Sequence, residues 1–157
     1  MSAQREIEIV TADPRIPEIT AMIHALDRYM GALYPAESNH LVDVNTLAQP
    51  NVHFFAAKVD GEYVGCGAVM IHGRDYAEVK RVFVDPAARG LGLGKRLIDR
   101  LAATARQQGV ALVRLETGIS QPDALGLFEA CGFTRCSSFG DYPADDPYSV
   151  FMERRVP

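Results

Sequence analysis

The chain has 157 residues, 48% hydrophobic and 23% charged, which suits one globular domain around a single sizeable core. A formal net charge of −4 argues against nucleic acid as the main partner, because phosphate neutralisation needs a basic field. No apolar run reaches the roughly 18 residues that a membrane span requires. Three cysteines without a CxxC pair and an N-terminus without a secretory pattern fit a reduced, cytoplasmic protein, and four scattered histidines give metal binding no motif.

Residues 6–10 read as a first strand. Pro14 and Pro17 stand at the start of a helix running to about Leu33, with Ile19, Met22, Ile23, Leu26 and Met30 spaced for one apolar face. Residues 43–48 form a short second helix, capped by Asp43 and stopped by Pro50. A strand meander follows over Val52–Val59, 63–71 and Tyr76–Val84, with Asp60-Gly61 as a hairpin turn. Leu97, Ile98, Leu101, Ala102 and Ala105 then repeat with helical period up to Gly109. Residues 110–116 form a strand with Ala111, Val113 and Leu115 on one face and Arg114 and Glu116 on the other. A short helix over 122–131 and strands over 133–136 and 148–154 complete the chain. This order predicts an α+β (mixed α/β) domain around one central sheet.

The most informative segment is Val84-Asp85-Pro86-Ala87-Ala88-Arg89-Gly90-Leu91-Gly92-Leu93-Gly94-Lys95. A strand ends, a proline turns the chain, three alternating glycines follow, and a long helix begins. Glycines let backbone approach an anion closely, and the first helical turn offers free N–H groups at the positive end of the dipole. Arg89 adds a planar charged fork, with Lys95 and Arg96 close in sequence. The pattern suits a pyrophosphate. It is not Walker A, because Arg96 follows Lys95, and it is not the GxGxxG of dinucleotide-binding folds, because the third glycine comes one residue early. An isolated G-x-G-x-G is equally compatible with a flexible turn before a capped helix.

Arg89, Gly92 and Gly94 resemble the R/Q-x-x-G-x-G/A motif of the GNAT N-acetyltransferases. The likeness continues through residues 110–116, Leu127-Phe128-Glu129-Ala130-Cys131-Gly132-Phe133 and Ser149-Val150-Phe151-Met152-Glu153, covering about residues 52 to 154. Together with Tyr34-Pro35-Ala36-Glu37-Ser38 and Leu115-Glu116-Thr117-Gly118, it points toward a bacterial subgroup acting on small molecules. The resemblance implies a mostly antiparallel twisted sheet of about seven strands, splayed at a parallel pair of strands 4 and 5 and flanked by about four helices. It also implies acetyl-CoA as acyl donor and a small-molecule primary amine as acceptor. The amides of Arg89, Gly90, Leu91, Gly92, Leu93, Gly94 and Lys95 would hold the pyrophosphate, and the backbone of Val82, Phe83 and Val84 the pantetheine arm. Relatives are often dimers, and the final strands could pair across such an interface.

Acetyl transfer needs a neutral attacking amine, a donor for the oxyanion and a departing thiol. Period-two alternation sets Glu78, Lys80, Val82 and Val84 on one strand face, and acidic residues at the place of Glu78 are general bases in several GNAT enzymes, often through water. The plain alternative is a glutamate paired with Lys80 or Arg114. Glu116 is a second candidate, as base or as anchor for the substrate ammonium. Many family members place a tyrosine acid where this chain has Phe128, which has no proton to give. Either the thiolate leaves unassisted, or Tyr142 or Tyr148 serves, or the protein binds acyl-CoA without turnover. Tyr34, Glu37 and His40 follow the first helix, where relatives often build the acceptor pocket, and Asp141, Tyr142, Asp145 and Asp146 form an acidic-aromatic loop suited to a cationic amine.

Overall fold

The computed structural model describes residues 5–38 and 43–156. The elements are β1 (Ile7–Thr11), α1 (Pro17–Leu33), a 3-10 turn (Ala36–Ser38), α2 (Val44–Leu47), β2 (Val52–Val59), β3 (Glu62–His72) and β4 (Tyr76–Val84). A second 3-10 turn (Pro86–Ala88), α3 (Leu93–Gln107), β5 (Leu112–Gly118), α4 (Pro122–Ala130), β6 (Thr134–Arg135) and β7 (Ser149–Arg155) follow. The strands form one sheet in the order β1-β2-β3-β4-β5-β7-β6. Every neighbouring pair is antiparallel except β4 and β5, as expected for this mixed architecture.

Local chemistry explains most boundaries. Pro17 opens α1, where a missing N–H would have found no intrahelical partner anyway. Asp43 caps α2 by accepting the Thr46 N–H at 2.8 Å. Asp60 and Gly61 both take positive φ, 51° and 85°, the primed turn whose twist matches a hairpin. The strand expected over 110–116 lies two residues later. Val110 is still tied to the end of α3, its N–H donating to Ala105 O at 3.0 Å, while β7 extends the pairing to Gly118 opposite Ser149.

Two apolar layers cover the sheet. On one face Leu97, Ile98 and Leu101 of α3 and Phe128 of α4 pack on Val69, Val79 and Leu115. On the other, Ile19, Met22 and Ile23 of α1 pack on Phe54, Ala56, Cys66 and Ala68.

The expected alternation along β4 fails at Arg81. Cys66 pairs with Phe83 but Ala68 pairs with Lys80, so the single residue Gly67 opposes both Arg81 and Val82. This is a β-bulge, and Arg81 absorbs it with a φ of 58°. Beyond the bulge the faces exchange: Val82 and Val84 pack with the α3 layer and Phe83 with the α1 layer. Val82 and Val84 therefore do not share the face of Glu78 and Lys80. Gly67 allows the close fit, since a Cβ there would stand 3.3 Å from Leu101 and 3.4 Å from Val82.

The bulge also bends β4 away from β5. Their parallel ladder holds two register pairs, Ala77 with Val113 and Glu78 with Arg114, although β4 runs on to Val84. A gap opens between the strands beyond Glu78.

Candidate active site

That gap is a narrow cleft of about 90 Å³. Its walls are Val79, Lys80, Arg81 and Val82 of β4 and Leu115, Glu116 and Thr117 of β5. Ala124 and Phe128 of α4 close it from one side of the sheet, Leu26 and Met30 of α1 from the other, and Tyr142 reaches in from the loop before β7. Lining residues come from both helical layers, so the cleft passes through the sheet where the two strands part. Leu26 and Met30 carry the same helical spacing as the buried Ile19 and Ile23, and only the divergence of the strands turns them from core into cleft wall.

A polar chain runs inward from this cleft. Tyr142 donates its hydroxyl proton to Glu78 Oε2 and accepts from Lys80 Nζ, and Lys80 Nζ stands 2.9 Å from the same carboxylate oxygen. The other oxygen, Glu78 Oε1, is 3.0 Å from His72 Nε2. Glu78 is 3% exposed and is not among the residues lining the cleft. It meets the cleft through Tyr142 and Lys80. Arg114, weighed above as its partner, instead pairs with Glu153 at 3.2 Å. Tyr142 is held in place by edge contacts to Phe139 and Phe151, with centroids 5.4 Å and 5.6 Å away.

Burial, and then the neighbouring Glu78 charge, push the Tyr142 phenol well above its ordinary value. Burial likewise raises Tyr34 and Tyr76. Because these folded-state values lie above the unfolded value near 10, the stability linked to them is present below about pH 10 and is lost as pH rises beyond it. Urea unfolding midpoints should therefore fall steeply above about pH 10, and less steeply in Tyr142→Phe. Equal slopes would contradict the assignment.

Glu116 lines the cleft from β5 and accepts a hydrogen bond from Ser149 Oγ at 2.8 Å. Tyr34 is a buried strut: it accepts from the Ser120 N–H and donates to Gln121 Oε1, both at 3.1 Å, in the β5–α4 connection. Its hydroxyl is thus spent on scaffolding, and it is not among the residues lining the cleft. Glu37 is exposed on the 3-10 turn after α1, and His40 lies outside the described residues. The neighbouring Ser38 Oγ donates to Asp146 Oδ1 at 3.1 Å, joining that turn to the loop that carries Tyr142. Tyr148 is 37% exposed and packs on Tyr34, away from the cleft. Cys66 is fully buried, its thiol pushed up to about 12 by desolvation, which suits a core residue rather than a nucleophile.

The glycine loop lies at one end of the same gap. Gly90 and Gly92 have φ of 87° and 71°, and Gly92 is the N-cap of α3 with no side chain to satisfy the first-turn N–H groups. A Cβ on either would meet nothing within 4 Å, so this face is open. An N-terminus of a 15-residue helix left uncapped and open, with the exposed Arg89 beside it, suits a pyrophosphate. Gly94 serves packing, because its Cβ would stand 2.7 Å from Leu127 Cδ2 on α4. Lys95 turns along the helix to Asp99, 2.8 Å away, rather than toward the loop. Next to this loop, β4 presents an edge that β5 does not pair beyond Glu78. An acyl-CoA substrate fits these features: a diphosphate cradle, then an open strand edge, then an apolar wall at Val82 and Phe128.

Of the residues singled out in the sequence, Val82, Glu116, Phe128 and Tyr142 line the cleft. Sequence reasoning did not single out Leu26, Met30, Thr117, Gln121 and Ala124 as cleft residues, nor His72 as a partner of Glu78. Among the described residues no helix is long and apolar enough to cross a membrane.

Comparison with known proteins gives a consistent result. The model of the Acetyltransferase (GNAT) family matches residues 19–133. The IAA acetyltransferase of Azospirillum brasilense is 44% identical over 149 residues, covering 94% of this chain and 97% of that protein. A crystal structure from Klebsiella pneumoniae subsp. pneumoniae, assigned as an acyl-CoA N-acyltransferase, superposes with a TM-score of 0.80 at 35% identity, covering 96% of this chain and 97% of that one. The PaiA N-acetyltransferase of Thermoplasma acidophilum, solved with coenzyme A, shares the fold at 16% identity with a TM-score of 0.71, covering 96% and 99%. The chain therefore belongs to the GNAT acetyltransferase family and is an N-acyltransferase that draws its acyl group from acyl-CoA.

Proposed function

We propose that the protein moves the acetyl group of acetyl-CoA to the primary amine of a small molecule, by direct attack in a ternary complex within the β4–β5 cleft. The observation that carries this reading is Tyr142, which lines the cleft together with Phe128 and whose hydroxyl is backed by Glu78 and Lys80. The N–H groups from Arg89 to Lys95 hold the pyrophosphate, and the unpaired β4 edge at Val82, Phe83 and Val84 receives the pantetheine arm. Glu116 anchors the acceptor ammonium. The amine nitrogen, once neutral, attacks the thioester carbonyl, and the backbone N–H near Val82–Phe83 faces the developing oxyanion.

The nitrogen must then lose a proton. Tyr142 is neutral at any working pH, so it takes that proton only as it yields its own to Glu78. The C–S bond breaks and the thiolate leaves. It departs unassisted, since Phe128 has no proton to give and a thiol with a pKa of about 8.5 leaves readily as the thiolate. A small acceptor is favoured over a peptide by the narrowness of the cleft and by the tie between Ser38 and Asp146 that joins the flanking loops.

Calorimetry and thiol release test the reading together. Wild-type protein should bind acetyl-CoA and release CoA with some member of a panel of small primary amines. Gly92→Ala forces a side chain into left-handed backbone at a cost of roughly 1–2 kcal/mol, and acetyl-CoA binding should weaken about tenfold. No binding heat with wild-type protein would end the proposal.

A further inference from the structure

Glu78 is a proton acceptor with no direct path to water. It is 3% exposed, is not among the residues lining the cleft, and has Tyr142 and Lys80 on one carboxylate oxygen. A buried carboxylate that gains a proton in every turnover must return it before the next. Tyr142 cannot serve for this, since it delivers the proton from the cleft side. The remaining oxygen, Oε1, has a different neighbour, His72 Nε2 at 3.0 Å.

His72 is the last residue of β3, paired with Tyr76 across the hairpin and stacked on its ring with centroids 4.5 Å apart. Its side chain is 33% exposed. The imidazole thus has one nitrogen on the buried carboxylate and part of its ring in solvent, at the opposite end of Glu78 from the cleft. Imidazole can accept a proton on one nitrogen and release one from the other near neutral pH.

We infer that His72 is the outlet of a Tyr142–Glu78–His72 proton relay that carries the acceptor's proton from the cleft to solvent. This rests on the acyltransfer reading above. In the forward direction the amine N–H proton passes to the Tyr142 oxygen while the Tyr142 proton passes to Glu78 Oε2. Neutral Glu78 turns its carboxyl so that the proton lies on the Oε1 side and gives it to His72 Nε2 of the Nδ1–H tautomer, and the imidazolium releases its Nδ1 proton to water. One proton enters and one leaves, and the part-exposed ring regains the Nδ1–H tautomer by exchange with solvent before the next turnover. His72 is a positioning and relay residue here, since it does not touch the acceptor.

The alternative is that His72 merely fixes the Glu78 carboxylate by a hydrogen bond. His72→Ala and His72→Gln separate the two, because glutamine can keep the hydrogen bond but cannot carry the proton. Both variants should lose about tenfold in kcat, a decade less than the roughly 100-fold of a group that takes the proton directly. The KM for acetyl-CoA should stay within about twofold, and calorimetric acetyl-CoA binding should be unchanged. Added imidazole should restore His72→Ala. Full activity in His72→Gln, unchanged kcat in His72→Ala, or failure of imidazole to restore it would overturn the relay while leaving the acyltransferase reading intact. Absence of turnover in the wild type would instead remove the reading on which it rests.

Discussion

Tyr142→Phe is expected to lower kcat about a hundredfold, or about 2.7 kcal/mol of transition-state stabilisation, with little change in the KM for acetyl-CoA. The phenyl ring keeps its edge contacts with Phe139 and Phe151, and Lys80 keeps Glu78 at 2.9 Å, so the fold should tolerate the change. Only the hydroxyl between cleft and carboxylate is removed. Glu78→Gln should cost kcat as much, most at neutral pH and less at alkaline pH, where hydroxide can take the proton that the attacking nitrogen sheds. A loss flat across pH would reject the base role. The two residues pass one proton in series, so the double variant should be barely worse than either single one. Additive losses would mean that they act separately. Tyr142→Phe is the cleaner of the two, because Glu78→Gln also strips the 12%-exposed Lys80 of its carboxylate, and breaking a buried pair in this way can cost about 3–5 kcal/mol of stability.

How far the sequence carries can be followed residue by residue. Val52–Val59 and Tyr76–Val84 emerge with the bounds expected of them, because their apolar runs are fenced by Asp60-Gly61, Gly73 and Asp85-Pro86. The turn at 89–95 is legible for the same reason, between the end of β4 and the start of α3, but its suitability for a pyrophosphate rests on the family resemblance, since three glycines alone fit a flexible turn equally well. The bulge is not legible. Arg81 takes a positive φ that nothing in its side chain requests; the signal lies on the neighbouring strand, where Gly65 and Gly67 make room. One extra residue in β4 then moved Val82 and Val84 to the other face and opened the cleft. Glu78 could be singled out but not its setting, because Tyr142 meets it across 64 residues of chain and His72 across a hairpin. Period and spacing read faces of elements well; they do not say which faces converge.

Gly118→Ala is expected to be the most destabilising single-methyl change in the protein. A Cβ at this position would lie 1.8 Å from the Tyr34 hydroxyl oxygen and 2.1 Å from its Cζ, inside any tolerable contact. Gly118 ends β5 opposite Ser149, so the strand cannot shift without disturbing β7, and Tyr34 is 6% exposed and anchored at its hydroxyl by Ser120 and Gln121. The ring must therefore leave its site and give up both hydrogen bonds, for a loss of about 3 kcal/mol or more. For a chain of this length that corresponds to roughly 6–12 °C in Tm, measurable by calorimetry. Tyr34→Phe should not relieve the clash, since Cζ remains, whereas Tyr34→Ala combined with Gly118→Ala should cost less than the sum of the two. The β5–α4 connection held by Tyr34 also carries Gln121 and leads into Ala124 and Phe128, all cleft residues. Gly118→Ala should consequently lower activity at temperatures where the variant is still folded, and unaltered activity there would show that the strut holds the fold without shaping the cleft.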